Sequence, residues 1–183
     1  MENVTTLTTD GGVVGKNPSD FGGTWAFVAT DKDDNLVFYR SGFYQAVGQP
    51  TTNNHTEMFA AIMALESMPE GWSGTLVSDS QITLGRLFEG WRNKNLPNDL
   101  VTRAQKALKR LGTVKGNHVD GHPTKAHLEA GIGKRGNPVS KWNVVADQLC
   151  NREVARVKGI LPKELILPEH VEPIIEDFIL VNK

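Results

Sequence analysis

The spacing of apolar and polar positions changes along the chain, and the changes separate its elements. The opening run, Val4-Thr5-Thr6-Leu7-Thr8-Thr9, is rich in β-branched residues and reads as a strand ending at Asp10-Gly11-Gly12, a turn signal. A loop bearing glycine and proline leads to a second β-rich run, Thr24 to Thr30. The polar turn Asp31 to Asn35 then joins it to a third strand, Leu36 to Gln45. Strands linked by so short a turn pair as a hairpin, so the first three are expected to form an antiparallel meander. Beyond them the period lengthens. Met58, Ala61, Ile62 and Leu65 fall at helical spacing, behind a threonine-rich start and ahead of Pro69 and Gly71. A short apolar strand, Thr75 to Ser78, ends at Asp79. Ile82 to Trp91 reads as a second helix, and Leu100, Ala104, Leu108 and Leu111 mark a third, stopped by Gly112. A fifth strand near Thr113 to Val119 precedes a long glycine-rich segment, and the last helix runs from about Trp142 to Lys158. The chain order βββ-α-β-α-α-β-α predicts an α/β (α+β) domain, a five-stranded mixed sheet with helices packed against it.

A length of 183 residues suits a single core, expected over residues 1–158. Residues 159–183 differ in character, with Pro162, Pro168 and Pro173 set among apolar residues and Ile174-Ile175-Glu176-Asp177-Phe178-Ile179 near the end. This tail reads as a strap over the domain's own core; the alternative is an amphipathic segment that docks a partner protein. No run reaches the ~18 apolar residues of a membrane span, so no membrane partner is expected. MENVTTLTTD has neither a basic n-region nor an apolar h-region, so no signal peptide is expected. The lone Cys150 cannot form an internal disulfide. Together these features predict a cytoplasmic monomer. A net charge of −1 argues against a protein that holds nucleic acid by charge alone.

Three carboxylates sit in unusual places. Asp10 follows a β-branched strand, Asp79 ends an apolar one, and Glu57 opens an otherwise apolar helix. A carboxylate at the buried end of a strand is costly unless something positive meets it. Neither lysine nor arginine lies close to any of the three in sequence. If Asp10 and Asp79 lie on adjacent strands, their ends converge beneath Glu57, and a cluster of hard oxygen donors suits Mg²⁺ or Mn²⁺. Zinc does not fit, because Cys150 has no CxxC partner and no histidine pairs with it at ligand spacing. Asp147 lies one helical turn after Asn143. His122 follows a strand at the start of a glycine-rich stretch, whereas His55, His118 and His170 have no local claim to a role.

Five segments carry a family resemblance. Thr9-Asp10-Gly11-Gly12 with Asn17-Pro18 and Gly22-Gly23 resembles the opening of type 1 ribonuclease H. Thr52-Asn53-Asn54-His55-Thr56-Glu57 is similar to that family's TNNxxE segment, and Ser78-Asp79-Ser80-Gln81 to its TDSQ strand end. Val119-Asp120-Gly121-His122 resembles its V-x-G-H, and Asn143 to Asp147 its NxxxD. The five occur in the family's order and span most of residues 5–158. The resemblance implies a ribonuclease H-like fold with helices on both faces of the sheet. It also implies an endonuclease that cuts the RNA strand of an RNA–DNA hybrid, leaving a 5′-phosphate and a 3′-hydroxyl. Asp10, Glu57, Asp79 and Asp147 would then hold two Mg²⁺ ions, for which Mn²⁺ can substitute, and His122 would assist proton movement or product release. Gly11, Asn17, Thr52, Asn53, Asn54 and Gln81 would contact the hybrid. On this reading the four ligands contribute −4 and two Mg²⁺ ions +4, so the formal charge with both bound is −1 + 4 = +3.

The chain departs from the family pattern twice. Between Asp79 and Leu100 it lacks the extra basic helix of many cellular members and offers only Arg92 and Lys94 near Trp91. From Pro123 to Lys141 it is longer than usual and carries Lys125, His127, Lys134, Arg135 and Lys141 among Gly131, Gly133 and Gly136. GIGKRG there fails the P-loop spacing because Arg135 follows the lysine. This stretch is read as a basic flap whose Lys134 and Arg135 meet substrate phosphates, and it leaves His127 as an alternative to His122. The competing functions are a non-catalytic module of the same fold that binds hybrid or protein, and a nuclease of the superfamily acting on DNA.

Overall fold

Alternation along one strand decides where the layers lie. On β2 (Gly23–Asp31), Trp25, Phe27 and Ala29 point to one side of the sheet, and Ala26 and Val28 to the other. The first set packs against Ala60, Ala61, Ala64 and Leu65 of α1 (Asn53–Glu66). The second packs against Trp142, Val145, Ala146 and Leu149 of α5 (Lys141–Val157). Helices therefore cover both faces, as expected, and β2 is buried along nearly its whole length.

The computed structural model describes residues 3–168. Their sheet has the order β3-β2-β1-β4-β5, with β1 Val4–Val13, β3 Leu36–Tyr44, β4 Gly74–Ser78 and β5 Val114–His118. The first three strands are the expected antiparallel meander. β4 then joins β1 in parallel, and β5 joins β4 in parallel. α2 (Gln81–Phe88) follows β4. α3 (Asn98–Arg110) packs on α1, where Leu100 and Ala104 meet Met58 and Ile62.

Three expectations need correction. β1 does not stop at Asp10-Gly11-Gly12 but continues to Val13, paired with β2 as far as Val13↔Gly23. Its glycines are there for close packing, not for a turn. The second helix ends at Phe88, three residues before Trp91, because Gly90 takes φ 70° and the chain folds back until Trp91 N donates to Gly85 O. The 123–141 stretch, read as a basic flap with no element in the expected order, contains a short helix, α4 (Lys125–Ala130), and a bridge between Ile132 and Pro138. The order among the described residues is βββ-α-β-α-α-β-α-α.

Beyond α5, Gln148 on that helix donates from Nε2 to Ile166 O (3.1 Å) and accepts from Ile166 N (2.8 Å). Leu165 and Leu167 rest against the α5–β2 cluster. Ile174 to Ile179, the proposed docking segment, lie outside the described residues.

Candidate active site

The register of two parallel strands brings the first two acids together. Thr9 on β1 lies opposite Ser78 on β4, so the next residues, Asp10 and Asp79, emerge at the same level. Asp10 sits mid-strand and buried, opposite Ala26. Asp79, half-buried, is the first residue past β4. The third acid arrives because Gly11 has no side chain. A Cβ there would lie 2.5 Å from Glu57 N and 2.6 Å from the Thr56 carbonyl carbon, so only glycine lets α1 come this close to β1. One carboxylate oxygen each from Asp10, Glu57 and Asp79 lie within 4.8 Å of one another. Asp147 on α5 lines the same cleft, and Asn151 Nδ2 donates to its Oδ2 at 3.3 Å.

So many acids in little water repel one another. Burial, and then the charges of Asp79 and Asp147, push Asp10 well above the usual carboxylate range. Burial, followed by Asp10 and Asp79, does the same to Glu57. Asp79 is raised by burial and by Asp147, while His122 and His118 pull it down. Glu57 Oε2 is buried without a hydrogen-bond partner, as is Asn143 Nδ2, one turn ahead of Asp147 on α5. Among the described residues lining the cleft, Arg135 is the only lysine or arginine. Hard oxygen donors, surplus negative charge and an unpartnered buried oxygen together fit a divalent cation.

The family model for RNase H matches residues 2–155. The chain belongs to the RNase H family. The ribonuclease H of Chlorobium phaeobacteroides strain BS1 is 30% identical over 142 residues, which are 74% of this chain and 91% of that protein. The ribonuclease H of Chlorobaculum parvum is 34% identical over 111 residues, 61% of this chain and 70% of that one. In fold the chain resembles RNase H1 from the halophilic archaeon Halobacterium salinarum, with TM-score 0.59 and 21% identity over 84% of this chain and 98% of the other. It also resembles LC11-RNase H1, solved in complex with an RNA/DNA hybrid, with TM-score 0.58 and 19% identity over the same shares.

The cleft of this RNase H gathers part of the expected substrate set. Gly11, Asn53, Asn54, His122 and Arg135 line it with the four acids. Asn53 and Asn54 are the exposed first residues of α1. Thr52, just ahead of them, is its N-cap: Thr52 Oγ1 accepts from His55 N, and His55 Nδ1 accepts from Thr52 N. Asn17 stands on the β1–β2 loop, where its Oδ1 accepts from Asn53 N at 3.2 Å. Asn17, Thr52, Gln81 and Lys134 do not line the cleft, and Ser80, the N-cap of α2, lines it next to Gln81. The two candidate histidines separate clearly. His122 is exposed at the cleft with φ 51°, whereas His127 Nδ1 accepts from Thr124 N in the capping box of α4.

Two residues near the cleft were not singled out from sequence. His118 Nε2 meets the Asp79 main-chain oxygen at 3.2 Å, across the Ser78↔His118 pair. Asp120 is buried and bonded to the segment that carries Arg135. Strand pairing would have placed His118. No local signal marks Asp120, whose partners lie 15 and 17 residues further on.

Proposed function

We propose that this RNase H is a metal-dependent endonuclease that hydrolyses the RNA strand of RNA–DNA hybrids to 5′-phosphate and 3′-hydroxyl products. The convergence of Asp10, Glu57 and Asp79 within 4.8 Å, at the ends of parallel strands and beside Asp147, carries this reading. These four would hold two Mg²⁺ ions, with Mn²⁺ able to substitute. When bound, such ions neutralise charge and polarise the scissile phosphate and its attacking water.

The chain's own groups divide the remaining work. The buried carboxylates are fixed by β1, β4 and α1, so their spacing is set before substrate arrives. His122, exposed on the rim, takes or delivers a proton at its imidazole. The amides of Asn53 and Asn54 both donate and accept, which matches the 2′-hydroxyls that distinguish an RNA strand. Asn17, Thr52 and Gln81 extend this contact surface along the hybrid, with Asn17 and Thr52 also ordering the start of α1. Arg135, and Lys134 beside it, meet substrate phosphates.

The test is cleavage of an RNA–DNA hybrid, duplex DNA and duplex RNA by the purified chain, with and without Mg²⁺. Cleavage of the hybrid's RNA strand alone, and only with the metal, is expected. Cutting of duplex DNA, or no cutting of hybrid, would overturn the reading. His122→Ala should lower kcat by about a hundredfold without abolishing turnover. A larger loss in His127→Ala would move the role to that residue.

A further inference from the structure

Asp120 directs its carboxylate into the turn that presents Arg135. Its Oδ2 accepts from Arg135 N at 2.7 Å and from Asn137 N at 3.4 Å, and its Oδ1 accepts from Asn137 Nδ2 at 2.8 Å. Asp120 N donates to Pro138 O at 2.9 Å. The turn is also closed on itself, since Gly133 N donates to Asn137 O at 2.9 Å and Gly136 N to Gly133 O at 3.1 Å. Gly133 is pressed so close that a Cβ would lie 2.4 Å from Asp120 Cβ. In the other direction the chain passes through Gly121, where a Cβ would lie 2.2 Å from Asp79 Oδ2, and reaches His122. One buried carboxylate thus ties the chain just past β5, two residues before His122, to the turn that carries Arg135.

We propose that Asp120 is a positioning residue for substrate binding: it holds the 131–138 turn against the cleft so that Arg135 is a preformed phosphate contact. The proposal rests on reading the cleft as a hybrid site. An arginine on a free loop loses conformational freedom when it takes a phosphate, and that loss weakens binding. Here the backbone at Arg135 is fixed in advance, while the guanidinium stays exposed towards the cleft. Three hydrogen bonds to one ionised acceptor, two of them from main-chain N–H groups, order a turn more firmly than neutral contacts do.

The test compares full-length Asp120→Ala, Arg135→Ala and the double variant with wild type. It uses cleavage of a short RNA–DNA hybrid in Mg²⁺, anisotropy binding of the same labelled hybrid in Ca²⁺, and amide hydrogen exchange. Asp120→Ala should raise KM and Kd about tenfold with kcat within about twofold, and lower the salt slope of binding by about one, as Arg135→Ala does. Exchange at the Arg135 and Asn137 amides should accelerate, and the double variant should bind no worse than Arg135→Ala alone. Gly133→Ala presses a methyl against Asp120 from the turn side and should give the same split even if Asp120→Ala folds poorly. Losses that multiply in the double variant would overturn the proposal. So would an unchanged KM and salt slope, or a fall in kcat and thermal stability with KM unmoved. If wild type binds hybrid without cutting it, the proposed reaction fails and the binding comparison still decides the role of Asp120. If it does not bind hybrid, both fall.

Discussion

Glu57 Oε2 ends a short chain of causes. It is buried without a hydrogen-bond partner because Gly11 admits α1 against β1, and it faces Asp10 and Asp79 because those strands run parallel in register. An amide at position 10 or 79 keeps the shape but removes a negative donor. Asp10→Asn or Asp79→Asn should therefore reduce Mg²⁺-dependent cleavage by more than about a hundredfold, since loss of even an indirect metal partner costs 10–100-fold. Circular dichroism should show the fold retained. The same crowding predicts a pH dependence. Folding raises the carboxyl affinity of Asp10, Glu57 and Asp79 for protons, so the folded state binds more protons than the unfolded one above the ordinary carboxylate range. In chelator, the stability these three groups contribute should be greatest below that range and be lost as pH rises through the elevated values. Thermal unfolding from about pH 4 to pH 8 should show this decline, and added Mg²⁺ should flatten it. A decline that persists in Asp10→Asn with undiminished slope would place its origin elsewhere.

At the scale of elements, the contact between β1 and α1 governs the site. Gly11→Ala puts a methyl into main chain that cannot move independently, and should cost about 1–3 kcal/mol in urea unfolding. Activity should fall further than stability alone explains, because Glu57 moves with α1. A variant as stable and active as wild type would show that the helix can withdraw without consequence. The elements themselves were largely legible, because both faces of the sheet are covered and the 3.6 and 2.0 periods stay clean in β2 and α1. What misled was glycine. Asp10-Gly11-Gly12 reads locally as a turn, yet the reason for Gly11 is a helix more than 40 residues away in sequence. In the same way α4 hides among glycines, nucleated by a Thr124–His127 capping box that apolar spacing does not reveal. Asp10, Glu57 and Asp79 could be found from sequence because a carboxylate beside apolar runs is conspicuous by itself, whereas the role of Asp120 exists only through its distant partners.

At the scale of the molecule, the described part of the tail rests on α5 and β2. Leu165 and Leu167 cover the α5–β2 cluster, and Gln148 fastens Ile166 by two hydrogen bonds. None of the described tail residues lines the acidic cleft, so deleting residues 160–183 should lower stability by about 1–3 kcal/mol while hybrid cleavage persists. Loss of cleavage in a truncated chain that remains folded would give the tail a direct part in the reaction. No helix among the described residues is long and apolar enough to cross a membrane.

The acids of the cleft come from β1, α1, the end of β4 and α5, so the cleft draws on both ends of the folded unit. α5 is also joined to the first strands, where Thr24 Oγ1 donates to Cys150 O and Cys150 Sγ to Asp10 O. On the ribosome, which delivers the N-terminal strands first, three acids can gather while the fourth and its helix are still to be made. On the four-ligand reading proposed above, cleavage waits for α5, so a nascent chain whose α5 has not yet emerged should not cut RNA–DNA hybrid.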